Sequence, residues 1–311
     1  MLIRRLYSAC ALLCLALLTS CGEASAPQGV SPTRTAGPTA TASALPSPTP
    51  IPTPMRYTSR VILRSVGRPD DLAFDPQGRL LFSDEHNGTV SRLNADGSVM
   101  VLARGLPGPE GVVALPDGTL IIAEQTTHQI VSLAPGAARP RLLRKLPGRP
   151  SSARCKDGVD QIALDPTTNT LIIPDSPTGE VYRMSLDGTS LTLLASGIAR
   201  PVGAFIDGQG IIYVSDECGG AVWRITPTGE KTRIGGFGMP DDAALDPQGN
   251  LLVIDLAPRI HALIRLNLAT GHRDTLGRDQ YAEPQGLVVD ARGHIFVADD
   301  ATNVIVEYTP I

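Results

Sequence analysis

The chain has 311 residues, with 31 acidic against 27 basic side chains and only 4% aromatics. A mildly acidic chain with few aromatic rings excludes nucleic acid as a partner, because that partner demands clustered Lys and Arg. Gly and Pro, at 31 and 27 residues, point to a soluble fold rich in turns.

Residues 1–20 read as an export signal. Arg4 and Arg5 form a positive start, and Leu6 to Leu18 is an apolar run too short to span a bilayer as a mature helix. The run ends in Leu18-Thr19-Ser20-Cys21, which resembles the lipobox of bacterial lipoproteins. That resemblance implies acylation of Cys21 and a mature protein held on the outer side of a bacterial membrane by its acyl chains. Residues 21–56 are dominated by Pro, Ser, Thr, Ala and Gly and carry no apolar pattern, so they are expected to form a disordered tether. In polyproline form such a tether reaches on the order of 100 Å. Cys10 and Cys14 fall in the signal, which leaves Cys155 and Cys218 in an oxidising compartment where disulfides persist.

From residue 57 onward one unit recurs six times. It opens at Pro69-Asp70-Asp71, Pro109-Glu110-Gly111, Val159-Asp160-Gln161, Pro201-Val202-Gly203, Pro240-Asp241-Asp242 and Pro284-Gln285-Gly286. The residues after the opening position are 40, 50, 42, 39 and 44 apart. A period near 40–45 with short strands and turn punctuation predicts an all-β fold, a six-bladed β-propeller over 57–311. Each copy parses as four strands. Strand A precedes an Asp-Pro-x-Gly type of turn, strand B is an apolar run closing on an acid, and strands C and D alternate around Gly-containing turns. The sixth copy stops at Ile311 after strand C. The unassigned run Arg60-Val61-Ile62-Leu63-Arg64-Ser65 is therefore predicted to complete the last blade and close the ring, which removes exposed sheet edges.

The unit P-x-G-(apolar)₃-D-x-x-G-x-(apolar)₃-x-D resembles the NHL repeat, and 57–311 as a whole is similar to the six-bladed gluconolactonase- and paraoxonase-type calcium-dependent hydrolases. In a propeller the innermost strands A surround a channel, and the residue after the opening position lines its mouth. Read round the ring this residue is Asp70, Glu110, Asp160, Val202, Asp241 and Gln285, and the next is Asp71, Gly111, Gln161, Gly203, Asp242 and Gly286. So many converging carboxylates repel each other, and a hard divalent cation relieves that repulsion. The resemblance implies Ca²⁺, with Asp70-Asp71, Asp160-Gln161 and Asp241-Asp242 at ligand positions and Glu110 as a further ligand or catalytic group. Two departures stand out: Val202 replaces an Asn ligand of that family, and Glu110 stands where its paraoxonase-like members carry a His base.

The acids that end strand B are Asp84, Glu124, Asp175, Asp216, Asp255 and Asp299. They recur in every copy whatever the local loop, so they are read as caps for backbone N–H groups. His128 holds the loop position of Gly88, Gly179, Gly220 and Asn303, which predicts a left-handed backbone there. His86 and His261 have no such conformational role in this reading and are the candidate general bases, beside Glu110. Cys155, in the long loop entering blade three, and Cys218, in a loop of blade four, share the mouth face and are predicted to form a disulfide.

Two functions follow as expectations. One is a calcium-dependent hydrolase of lactones or esters. The other is a non-catalytic propeller that binds a small molecule or a protein at the channel mouth. A third, a lyase resembling the streptogramin lyases, lacks a recognisable His and Glu motif in this sequence.

Overall fold

The computed structural model describes residues 56–311. The export signal over 1–20, the acylation site Cys21 and the tether before Arg56 lie outside the described residues. The described residues form twenty-four strands in six four-stranded sheets, with no helix among them. Five blades are built from consecutive strands. The sixth combines Pro284–Val289, Ile295–Asp299, Val304–Pro310 and, outermost, the N-terminal strand Tyr57–Arg64.

The predicted closure is therefore present, and it is longer than the sequence suggested. The N-terminal strand starts at Tyr57 rather than Arg60 and runs antiparallel to the last strand from Tyr57↔Pro310 to Arg64↔Val304, with a bulge between Val61 and Leu63. Tyr281 and Tyr308, whose hydroxyls lie 2.7 Å apart, are buried beside this seam.

Burial grades outward through each blade for a physical reason. Strand B is covered on both faces by neighbouring blades, so Leu80–Asp84, Leu120–Glu124, Ile212–Asp216, Leu251–Asp255 and Ile295–Asp299 are buried along their whole length. Strand D has one face in solvent, and Lys231–Gly235 has no buried residue. The core is divided among the gaps between blades. Leu81 and Val90 of blade one meet Val112, Ile122 and Val131 of blade two, and Ile172 and Val181 of blade three meet Val214 and Ile225 of blade four. Each fully buried aliphatic side chain contributes about 1.5–3 kcal/mol.

Strand A carries the feature that shapes the mouth. In blades two, four, five and six its ladder slips between the opening Pro and the third residue after it: Pro240 pairs with Asp255, and Ala243 with Val253. Two residues then oppose one, a bulge that re-aims side chains at the channel.

Candidate functional site

The mouth is a cavity of about 610 Å³ walled by residues of all six blades. Its floor is an alternating ring. Asp71, Gln161 and Asp242 of blades one, three and five each reach forward to the next blade. Val112 N–H donates to Asp71 Oδ2 at 2.9 Å, Ala204 N–H to Gln161 Oε1 at 2.9 Å, and Leu287 N–H to Asp242 Oδ2 at 2.7 Å. The glycines of blades two, four and six make this possible. A Cβ on Gly111 would lie 2.6 Å from Ile162 N, and one on Gly203 would lie 2.5 Å from Asp241 O.

Two members of the expected ligand set, Asp71 and Asp242, are thus already engaged in hydrogen bonds. Asp71 also accepts Leu72 N–H at 2.8 Å and Gln161 Nε2 at 2.9 Å, and Asp242 accepts Ala243 N–H at 2.6 Å. Both carboxylates bind neighbouring blades together.

Above the floor lie Asp70, Glu110, Asp160, Asp241, Val202 and Gln285, the ring expected from sequence. The structure divides it into two halves. On the blade three to four side, Arg200 supplies an internal cation. Its Nη2 sits 2.6 Å from Asp157 Oδ2 and 3.4 Å from Asp160 Oδ2, and its Nη1 pairs with Glu217. Asp160 also accepts Gln125 Nε2 at 2.6 Å. On the blade one to two side the mouth-lining Arg68 turns instead to Asp300 and Glu283 of blade six. Asp70, Glu85 and Glu110 each present a carboxylate oxygen within 4.8 Å of the other two. Among the described residues none of these three pairs with Lys, Arg or His. Glu110 accepts Gln125 Nε2 at 2.9 Å.

Burial and crowding act together on these acids. Burial first, then the charges of Asp71, Asp160 and Glu85, push Asp70 up to about 8. Asp160 is pushed up to about 6 by burial, with Arg200 holding it down. Glu110 and Asp241 are raised well above the usual carboxylate range by burial and then by neighbouring carboxylates. Asp241 has no hydrogen-bond partner among the described residues.

The three-carboxylate half fits a divalent cation. Oxygens bound to Ca²⁺ at about 2.4 Å lie no more than about 4.8 Å apart, and the ion favours such oxygen donors. Asp70 and Glu110 were legible as ring members. Glu85 is less legible, because it follows the capping acid Asp84 that ends strand B in the repeat. The same position holds Gln125, Glu217 and Asp300, all at the mouth, so the repeat carries a third set of mouth residues.

The other candidates fall as follows. The strand B acids do cap backbone: Asp84 accepts Asn87 N–H at 2.8 Å and Arg68 N–H at 3.0 Å, and Asp255 accepts Ala257, Gly238 and Met239 N–H. Glu124 differs, taking the side chains of Thr127 and Gln129. His128 is left-handed as expected, with φ 51°. His261 is left-handed too, with φ 36°, so the expectation that it has no conformational role is corrected; it does line the mouth. His86 is exposed and lies outside the mouth lining. Cys155 and Cys218 are joined by a disulfide with Cα atoms 6.2 Å apart, and it ties the loop carrying Asp157 to the loop carrying Glu217, on either side of Arg200.

No protein-family model matches the sequence. Solved structures do. A virginiamycin B lyase from Staphylococcus aureus is 19% identical with a TM-score of 0.61, over 80% of this chain and 83% of that one. A gluconolactonase-like protein is 14% identical with a TM-score of 0.64, over 83% and 93%. A chain of a nidogen/laminin complex is 18% identical with a TM-score of 0.63, over 74% and 88%. At these identities what they share with this chain is its fold, the six-bladed β-propeller.

Proposed function

We propose that this protein is an extracytoplasmic β-propeller, anchored to a bacterial membrane through an acylated Cys21, that binds Ca²⁺ at the blade one to two side of its mouth and hydrolyses lactones or related esters. The observation that carries the cation site is the convergence of Asp70, Glu85 and Glu110 within 4.8 Å, with the nearby Arg68 paired to Asp300 and Glu283 and not to these three. Bound there, the ion supplies a Lewis acid that polarises a substrate carbonyl. The chain's own residues do the rest. Gln125 holds Glu110 and Asp160 in fixed orientation through two hydrogen bonds. Arg200 neutralises the opposite half and so keeps the ion on one side. Asp241, unpartnered and raised by burial, is suited to accept a proton from attacking water.

Two observations favour the alternative of a non-catalytic binding propeller. The exposed His86 is off the cavity, and blade two offers Glu110 where a hydrolase of the resembled family has a His. A panel of lactones and aryl esters, assayed with Ca²⁺ and with EGTA, decides between the two. The proposal requires Ca²⁺-dependent turnover that Asp241→Asn abolishes and His86→Ala spares. Calcium binding without turnover of any panel member leaves the binding propeller.

A further inference from the structure

A strip of positive charge runs down the outer edge of blade two. From Gln125 to Lys156 the sequence holds seven Lys or Arg and no Asp or Glu, in a chain whose acids outnumber its bases. Arg139 lies in the turn before the outermost strand, Arg141–Lys145, which carries three more cations. Arg149, Arg154 and Lys156 follow in the loop that leads to blade three. Five of the seven are exposed, Arg144 and Lys156 being partly covered. Among the described residues none of the seven enters an ion pair. Arg144 and Lys156 donate only to the carbonyl oxygens of Gly188, at 3.3 Å, and Pro177, at 2.9 Å.

The same edge exposes leucine. Leu142 is 47% exposed and Leu193 56%. They hold equivalent places on the outermost strands of blades two and three, where they pair with Val131 and Tyr182. Leu142, so exposed and set among unpaired cations, with Leu193 on the neighbouring edge, supplies the apolar half of a lipid-surface contact. The cations meet anionic headgroups, and the leucines meet hydrocarbon just below them. Nucleic acid fits less well, because residues 125–156 contain no Phe, Tyr or Trp on which a base stacks, and His128 is buried. A soluble anionic polymer gains nothing from the leucines.

We propose that this edge of blades two and three docks on an anionic phospholipid surface, as a contact separate from any acyl anchor. The contact would lay the propeller on its side with the channel axis along the membrane plane.

The test is co-sedimentation of the full chain carrying Cys21→Ser with vesicles of phosphatidylcholine alone or mixed with phosphatidylglycerol, at low and high salt. Binding is expected to need the anionic lipid and to fall with salt. Arg141→Glu, Arg144→Glu and Lys145→Glu together should weaken it by roughly 100-fold. The same change of charge elsewhere, Arg259→Glu with Arg278→Glu and Arg292→Glu, should leave it within a few-fold. Leu142→Ser alone should weaken it at unchanged net charge. Circular dichroism of each variant, matching the parent, keeps the comparison valid. Equal binding to neutral vesicles, equal loss in both triple variants, or binding to heparin but not to vesicles overturns the proposal.

Discussion

Asp242 of blade five accepts the backbone N–H of Leu287 in blade six at 2.7 Å, across the gap between the two blades. Asp71 and Gln161 make the equivalent bond from blades one and three. The floor of the mouth is thus a three-fold set of clasps, each paired with a glycine that lets the next backbone close in. Asp242→Ala leaves a buried N–H without a partner and removes one clasp. It is expected to lower stability by about 1–3 kcal/mol, measured by chemical denaturation, with calcium affinity within a few-fold of the parent. Loss of calcium binding at unchanged stability would return Asp242 to the ligand set.

Much of this was legible in the sequence, and the parts that were not have a common cause. The six-fold period and its turn residues predicted the blades, and the unassigned N-terminal run predicted the closing strand. The left-handed His128 was visible because glycine or Asn stands at that place in four sister blades. Asp70 and Asp71, by contrast, look alike in sequence. Only the cross-blade register shows that one faces the cavity while the other is taken up by Val112 N–H. Glu85 meets Glu110 of the next blade and Arg200 meets Asp157 and Asp160 of the preceding one, contacts that pairing within a single repeat does not reveal.

The mouth acids make stability depend on pH with a definite sign. Burial pushes Asp70 up to about 8, Asp71 to about 7 and Asp160 to about 6. An unfolded carboxylate titrates near 4, so between about pH 4 and 8 the folded chain holds protons that the unfolded chain has released. Stability of the metal-free protein should fall as pH rises through that window. Saturating Ca²⁺ takes the place of those protons and should flatten the slope. Thermal melts in EGTA and in Ca²⁺ across this range check both statements, and a rise of the EGTA midpoint with pH contradicts them.

The Cys155–Cys218 bond closes a loop with a sequence separation of 63. Replacing both cysteines with Ser should cost about 2–5 kcal/mol in denaturation experiments. Because Asp157 and Glu217 flank Arg200 beside the two cysteines, the same variant should also change the calcium affinity of the mouth. Unchanged stability and unchanged affinity together would show that the bond holds nothing in place.

Calorimetric titration of Ca²⁺ into the full chain bears most directly on the cation site. The wild-type protein should bind one ion. Glu85→Gln should weaken binding by roughly tenfold or more through loss of one charged ligand, while His86→Ala, one residue along the same loop, leaves it unchanged. Absence of heat and of any thermal shift in the wild type, or equal affinity in Glu85→Gln, would contradict the assignment of Asp70, Glu85 and Glu110 as the cation site.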